Sequence, residues 1–275
     1  MLRKLFSATF NSEYAHRTGI YISHWRLKCV LAFSLFISMP GAQANEISIA
    51  VATNFVPTLK ILAQSFAANS GHRIHISAGS TGKLFAQIRH GAPFDIFLAA
   101  DVRHPLLLEQ QGLAVQGSRF TYAIGQLVLW SPQTQLIDTH GQVLKNGTFR
   151  HLAIANPKIA PYGGAARQVL QGMGLWESLK PRLVQGEDVG QTFHFVASGN
   201  AELGFIALAQ ILGLADADRG SSWRVPQDLY VPLEQQAVLL TRGAAKSGAA
   251  DFLSYLRGAE AGAIIKQHGY AIGKY

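Results

Sequence analysis

Four short loops carry the residues of this chain best suited to chemistry: Ala52-Thr53-Asn54-Phe55, Ala78-Gly79-Ser80-Thr81-Gly82, Ala160-Pro161-Tyr162-Gly163-Gly164 and Asp188-Val189-Gly190. Together they offer hydroxyls, an amide, a phenol and many unblocked backbone N–H groups, with Lys83 the sole nearby cation. A fully ionised tetrahedral oxyanion presents only acceptors, so a ring of neutral donors complements it, and glycines let the backbone come close. One such loop by itself would be ordinary helix N-capping by Ser, Thr or Asn. Four, divided between two halves of the chain, favour a ligand site.

Other constellations compete and fall short. Ser80-Thr-Gly-Lys83, Ser198-Gly-Asn200 and Lys145-Asn-Gly147 resemble the motifs of penicillin-binding serine enzymes. Their order is wrong, because the lysine-glycine element should come last and on a strand, whereas Lys145-Asn-Gly147 comes second and reads as a turn. The Gly79–Lys83 loop also fails as a nucleotide P-loop, with Ser77 in place of the first glycine and Leu84 in place of the magnesium-binding hydroxyl. His72 and His75 sit three apart on an expected strand and so face opposite ways, which argues against metal capture. Asp95 and Asp101 bracket an expected buried strand and suit turn and capping roles, and Trp130, Trp176 and Trp223 suit packing.

These loops need a framework, and the composition supplies one. With 48% hydrophobic and 15% charged residues in 275, the chain can bury a sizeable core, which excludes disordered and fibrous classes. Arg26 and Lys28 precede an apolar stretch from Cys29 to Met39, then Pro40-Gly41 and Ala42-Gln43-Ala44. That is the pattern of a cleavable secretory signal over residues 1–44, too short in its apolar part to span a bilayer. Half of the net charge of +8 belongs to it; the remaining 231 residues carry +4, scattered, with no basic stripe for nucleic acid. The only cysteine lies in the signal, so the mature chain has no thiol chemistry, as befits an oxidising envelope compartment.

Strand-like and helix-like runs then alternate. Glu46–Ala52, His72–Ser77 and Asp95–Ala100 read as strands, each followed by a helical run closed by Gly71, Gly91 or Gly112. Thr121–Trp130 reads as one long strand leading into a second series: strands at His151–Ala155, Arg182–Gln185 and Glu202–Ala207, and helices at Gly163–Leu170 and Gly190–Ala197. A strand at Gln235–Thr241 and helices at Asp251–Leu256 and Glu260–His268 finish the chain. The expected fold is α/β: two lobes, each a mostly parallel sheet flanked by helices, with the last segment returning to the first lobe. The boundaries expected are 45–124 plus 232–275 for lobe I and 125–231 for lobe II. In such sheets ligands sit beyond the carboxyl ends of strands, where the four loops fall.

The motifs SAGSTGKLFAQIRHGAPFDIFLAAD, VATNFVPTL, IANPKIAPYGGAARQVL, GEDVGQ and LGFIAL resemble those of the periplasmic molybdate-binding proteins of ABC importers, over essentially the whole mature chain. The resemblance implies a two-lobed periplasmic binding protein fold (type II) and a monomer without cofactor or catalysis. It implies molybdate or tungstate held between the lobes, with no protein ligand on the metal, and delivery to an ABC permease. Carried over by position, it implies Thr53 and Asn54 from the first loop, Thr81 from the second with Ser80 beside it, Tyr162 from the third and the Val189 amide from the fourth. Ala207 stands where many members have a tyrosine, so Tyr162 is expected to supply the phenol. Sulfate, or phosphate with Asp188 as acceptor, is the alternative oxyanion.

Overall fold

The computed structural model describes residues 46–147 and 149–273, so the expected signal lies outside the described residues. Two five-stranded sheets carry the fold. The first, ordered β2-β1-β3-β10-β4, contains β1 (Glu46–Ala52), β2 (Arg73–Gly79), β3 (Ile96–Leu98), β4 (Phe120–Gly125) and β10 (Leu233–Leu239). The second, ordered β7-β6-β8-β5-β9, contains β5 (Leu127–Ser131), β6 (Leu152–Ala155), β7 (Leu183–Gly186), β8 (Leu203–Ala207) and β9 (Ser221–Arg224). In each, three strands pair in parallel and the fourth is antiparallel to both its neighbours, so each sheet is mixed, with one strand reversed. The reversed strands are the two that arrive from the other sheet: β5 follows β4, and β10 follows β9.

The run Thr121–Trp130 is therefore not the single strand expected. Up to Gly125 it pairs with β10, and from Leu127 it pairs with β8 and β9. No residue in the run forces a turn; the interruption at Gln126 exists because its halves serve different sheets. β9 was also absent from the sequence reading, since four residues with alternating burial carry too little pattern.

Helices cover both sheets. Lobe I has α1 (Val56–Ser70), α2 (Thr81–Arg89) and α3 (Arg103–Gln110), and lobe II has α4 (Val143–Asn146), α5 (Pro161–Gly172), α6 (Trp176–Leu179), α7 (Val189–Ala197) and α8 (Leu208–Leu212). The final pair, α9 (Ser247–Arg257) and α10 (Ala259–Gln267), returns to lobe I, where Phe252, Leu256 and Ile265 pack with Ile47, Leu59 and Phe66. Lobe II has its own core around Val128, Ile154, Leu170, Val196 and Phe205. Trp130 and Trp223 are buried in it, and Trp176 takes the Arg167 guanidinium over its ring at 5.3 Å.

Asp95 departs from its expected turn role. Its side chain is fully buried, accepts from the Ser48 amide at 2.8 Å and meets Lys246 Nζ at 2.7 Å, tying β3 to the start of α9. Removing Lys246 leaves the buried carboxylate to the Ser48 amide and to the Arg242 guanidinium, 3.9 Å from its other oxygen, and Lys246 is itself one-third open to water, so the pair is screened. Lys246→Met is expected to lower stability by about 2 kcal/mol in urea denaturation. An unchanged midpoint would mean that the Ser48 amide and Arg242 support the charge without Lys246.

Candidate functional site

The four loops meet in one cavity between the lobes, lined by Ala52, Thr53 and Asn54, by Gly79, Ser80 and Thr81, by Ala160, Pro161 and Tyr162, and by Asp188 and Val189, with Ala100 closing one side. All five residues expected at the site (Thr53, Asn54, Thr81, Tyr162 and Val189) border it. The cavity is small: the space open to the centre of a water-sized sphere is about 10 Å³, room for about one compact group and far below what an organic ligand needs.

Each wall is the entry to a helix, which explains the donors. After β1 the chain makes a single tight turn, Thr53–Phe55, and enters α1 with a proline in its first turn. After β2, Ser80 takes the position preceding α2 with extended backbone, yet its hydroxyl caps nothing. It is 2% exposed and has no hydrogen-bond partner, so it is a free buried donor on the cavity wall. Thr81 is different: its hydroxyl oxygen accepts from the Ala100 amide at 3.0 Å and ties the loop to the end of β3. α5 begins at Pro161, and a Cβ at Gly163 would lie 2.2 Å from the Ala155 carbonyl oxygen, so glycine there lets the helix start close against β6.

The Asp188 carboxylate accepts from the Gln191 amide at 2.9 Å as the cap of α7, which leaves the Val189 amide ahead of it. Thr53 Oγ1 accepts from the Gly190 amide at 3.2 Å, a bond between the lobes. None of α1, α2 and α5 has an acidic residue in its first turn or at its cap, so their positive ends face the cavity uncompensated, while the Asp188 carboxylate already caps α7.

The phenol of Tyr162 is 2% exposed, and burial pushes it well above its usual range. It is therefore a neutral donor at any physiological pH. Asn54 is less open than expected: its Nδ2 donates to Gln235 Oε1 at 2.9 Å and to the Tyr270 hydroxyl at 3.2 Å. Its amide nitrogen is spent on lobe I, while its Oδ1 is buried without a hydrogen-bond partner. Lys83 does not line the cavity; its ammonium meets Glu187 Oε1 at 2.7 Å across the lobes, a contact that raises its pKa above the usual lysine value. What the cavity offers is neutral donors with no cation among them, and one carboxylate, Asp188, that caps α7.

Sequence reading missed Gln235, Tyr122 and Tyr270 behind the site. Tyr122 donates to Gln235 Oε1 at 3.0 Å, and Tyr270 donates to the Asn54 carbonyl at 2.8 Å. The available signal was a polar pair, Gln235-Gln236, inside an otherwise apolar strand. The competing motifs do not assemble: the Ser198 hydroxyl donates to its own helix at His194 O, Asp101 caps the His104 amide, and no group of three or more metal-ligating side chains occurs among the described residues.

The family of bacterial extracellular solute-binding proteins matches residues 47–271. The molybdate-binding protein of Azotobacter vinelandii is 47% identical over 245 residues, 89% of this chain and 97% of that protein. The molybdate-binding protein of Rhodobacter capsulatus is 45% identical over 240 residues, 87% and 93% of the two chains. The solved Azotobacter vinelandii periplasmic molybdate-binding protein superposes with a TM-score of 0.80, covering 83% of this chain and all of that one. With two mixed sheets and a donor-lined cavity between them, this chain belongs to the bacterial extracellular solute-binding proteins, among their molybdate-binding members.

Proposed function

We propose that this chain captures molybdate or tungstate in the periplasm, after export through the cleavable signal at residues 1–44, and hands it as a monomer to an ABC permease. Lobe I then corresponds to 45–124 plus 232–275 and lobe II to 125–231. The observation that carries the reading is a small cavity faced by helix starts and neutral donors with no cation on its wall. Such a site holds an anion by hydrogen bonds from prepaid donors and needs no ion pair. Asp188, the acceptor that a protonated phosphate would want, gives one oxygen to the Gln191 amide and also lines the cavity, so phosphate stays in the comparison below. Calorimetry of the mature protein with molybdate, tungstate, sulfate and phosphate in parallel tests the reading, and a preference for sulfate or phosphate would replace it.

The assignments differ between the two neighbouring hydroxyls. Ser80→Ala is expected to weaken molybdate by about 2 kcal/mol, the range for a hydrogen bond to a charged group, with the melting temperature of the free protein unchanged. Thr81→Ala removes the acceptor of the Ala100 amide as well, so it should lower the free protein's stability by about 1 kcal/mol in addition to any loss of affinity. Wild-type affinity in Ser80→Ala, measured by calorimetry, would remove that hydroxyl from the site.

A further inference from the structure

We infer that Gln235 is a positioning residue that aims the Tyr162 hydroxyl proton into the cavity, as the last link of a hydrogen-bond relay anchored on the Asn54 carbonyl. The inference rests on the oxyanion reading of the site. The direction of each bond follows from the first. A backbone carbonyl only accepts, so the Tyr270 hydroxyl, 2.8 Å from Asn54 O, must donate to it. The Tyr270 oxygen is then left to accept, and Asn54 Nδ2 donates to it at 3.2 Å, which fixes the orientation of the Asn54 amide. The second hydrogen of that amide goes to Gln235 Oε1 at 2.9 Å, and the Tyr122 hydroxyl reaches the same oxygen at 3.0 Å. With Oε1 fixed as the acceptor, Gln235 must present Nε2 on its other side, where it donates to the Tyr162 hydroxyl oxygen at 3.4 Å. Tyr162 therefore receives from Gln235 and can only donate elsewhere, and the cavity lies beside it.

The fold makes room for this contact between lobes. Gln235 is fully buried, and the register of β10 against β4 shifts between Gln235 and Gln236, so that Gln236 bonds Arg119 and Thr121 while Gln235 serves the relay. Opposite, a Cβ at Gly125 would lie 2.2 Å from the Tyr162 oxygen and 2.7 Å from Gln235 Nε2, so the glycine at the crossing between sheets opens the space in which they meet. A buried glutamine with both ends engaged has no other evident purpose at this place, since an apolar residue would fill a strand interior more cheaply.

The test is a double-mutant cycle on molybdate affinity, read by calorimetry, with the wild type alongside. Gln235→Met frees the Tyr162 proton to turn away and is expected to weaken binding about tenfold to thirtyfold, and Tyr162→Phe about thirtyfold. The double variant should be no weaker than the poorer single variant, because Gln235 acts through that hydroxyl. Gln235→Glu presents an acceptor where a donor is needed; its deficit should be largest at pH 8 and shrink towards pH 6, as the buried carboxyl takes up a proton and can donate again. The wild type should show no such trend. Losses that multiply in the double variant, or a Gln235→Glu affinity independent of pH, would overturn the inference while leaving the site intact. If the wild type itself binds no tetrahedral oxyanion, the reading of the site fails first. The pH series stands even if Gln235→Met does not fold.

Discussion

Molybdate at a thousandfold excess over its dissociation constant is expected to stabilise the mature protein by about 4 kcal/mol, which for a chain of this size raises the melting temperature by roughly 8–16 °C. The reason is that the donors come from both lobes. Residues 52–54 and 79–81 belong to one sheet's loops and residues 160–162 and 188–189 to the other's, so only the folded and closed chain gathers them around one volume. The unfolded chain has no equivalent set, and the whole binding free energy above the ligand concentration therefore appears as stability. A thermal scan on protein first freed of ligand by unfolding, dialysis and refolding measures it. No shift with molybdate, tungstate, sulfate or phosphate would sink the capture of oxyanions altogether. A shift of equal size with sulfate would retain the cavity and remove the assignment to molybdate.

Much of this was legible in the residues, and the limits have physical causes. The loops were readable because a helix start is written locally: Pro57 and Pro161 sit in the first turn of their helices and Asp188 caps its helix. The same local logic found the returning helices, whose apolar spacing demands a partner face that proves to be the first core. It could not find the reversed strands. β5 and β10 look like any other apolar strand, and their direction depends on which sheet the chain has just left. Nor could it separate Ser80 from Thr81, since both are hydroxyls at a helix start; only the position of the Ala100 amide shows that Thr81 also holds the loop, with its O–H still free to donate. Gln235 was out of reach for a similar reason. Its partners lie 181, 113 and 73 residues away, and nothing within its own strand says what a glutamine there should meet.

The electrostatics of the site also correct a common intuition. A divalent anion invites the expectation of lysine or arginine on the wall, yet the nearest lysine, Lys83, is committed to Glu187 and half exposed. That pair joins the lobes beside the cavity and leaves the interior to dipoles and hydroxyls. Beside that pair, α2 of lobe I also meets the loop before α5 of lobe II, at Gly82 and Ile159.

Gly82→Val is expected to weaken molybdate by about 3 kcal/mol, over a hundredfold, without lowering the stability of the free protein. The Gly82 amide donates to the Ile159 carbonyl of the opposite lobe at 2.8 Å. A Cβ on Gly82 would stand 3.0 Å from the Ile159 Cα and Cβ and 3.1 Å from its carbonyl oxygen, so even one added carbon presses on the facing backbone, and a branched side chain more so. The strain exists only when the lobes are together, because both atoms it involves belong to different lobes and separate when the cleft opens. It is thus charged to the closed, ligand-holding form alone, and affinity falls while the open form is untouched. Gly172, at the end of α5 with open space around it, supplies the control: Gly172→Ala should bind as the wild type does. Small-angle scattering adds the readout that a local helix effect would not move. The wild type should contract on adding molybdate, and Gly82→Val should stay extended at the same concentration. Wild-type affinity and contraction in Gly82→Val would show that the helix start yields by those few tenths of an ångström, and that closure is set instead by Thr53 with Gly190 and by Lys83 with Glu187.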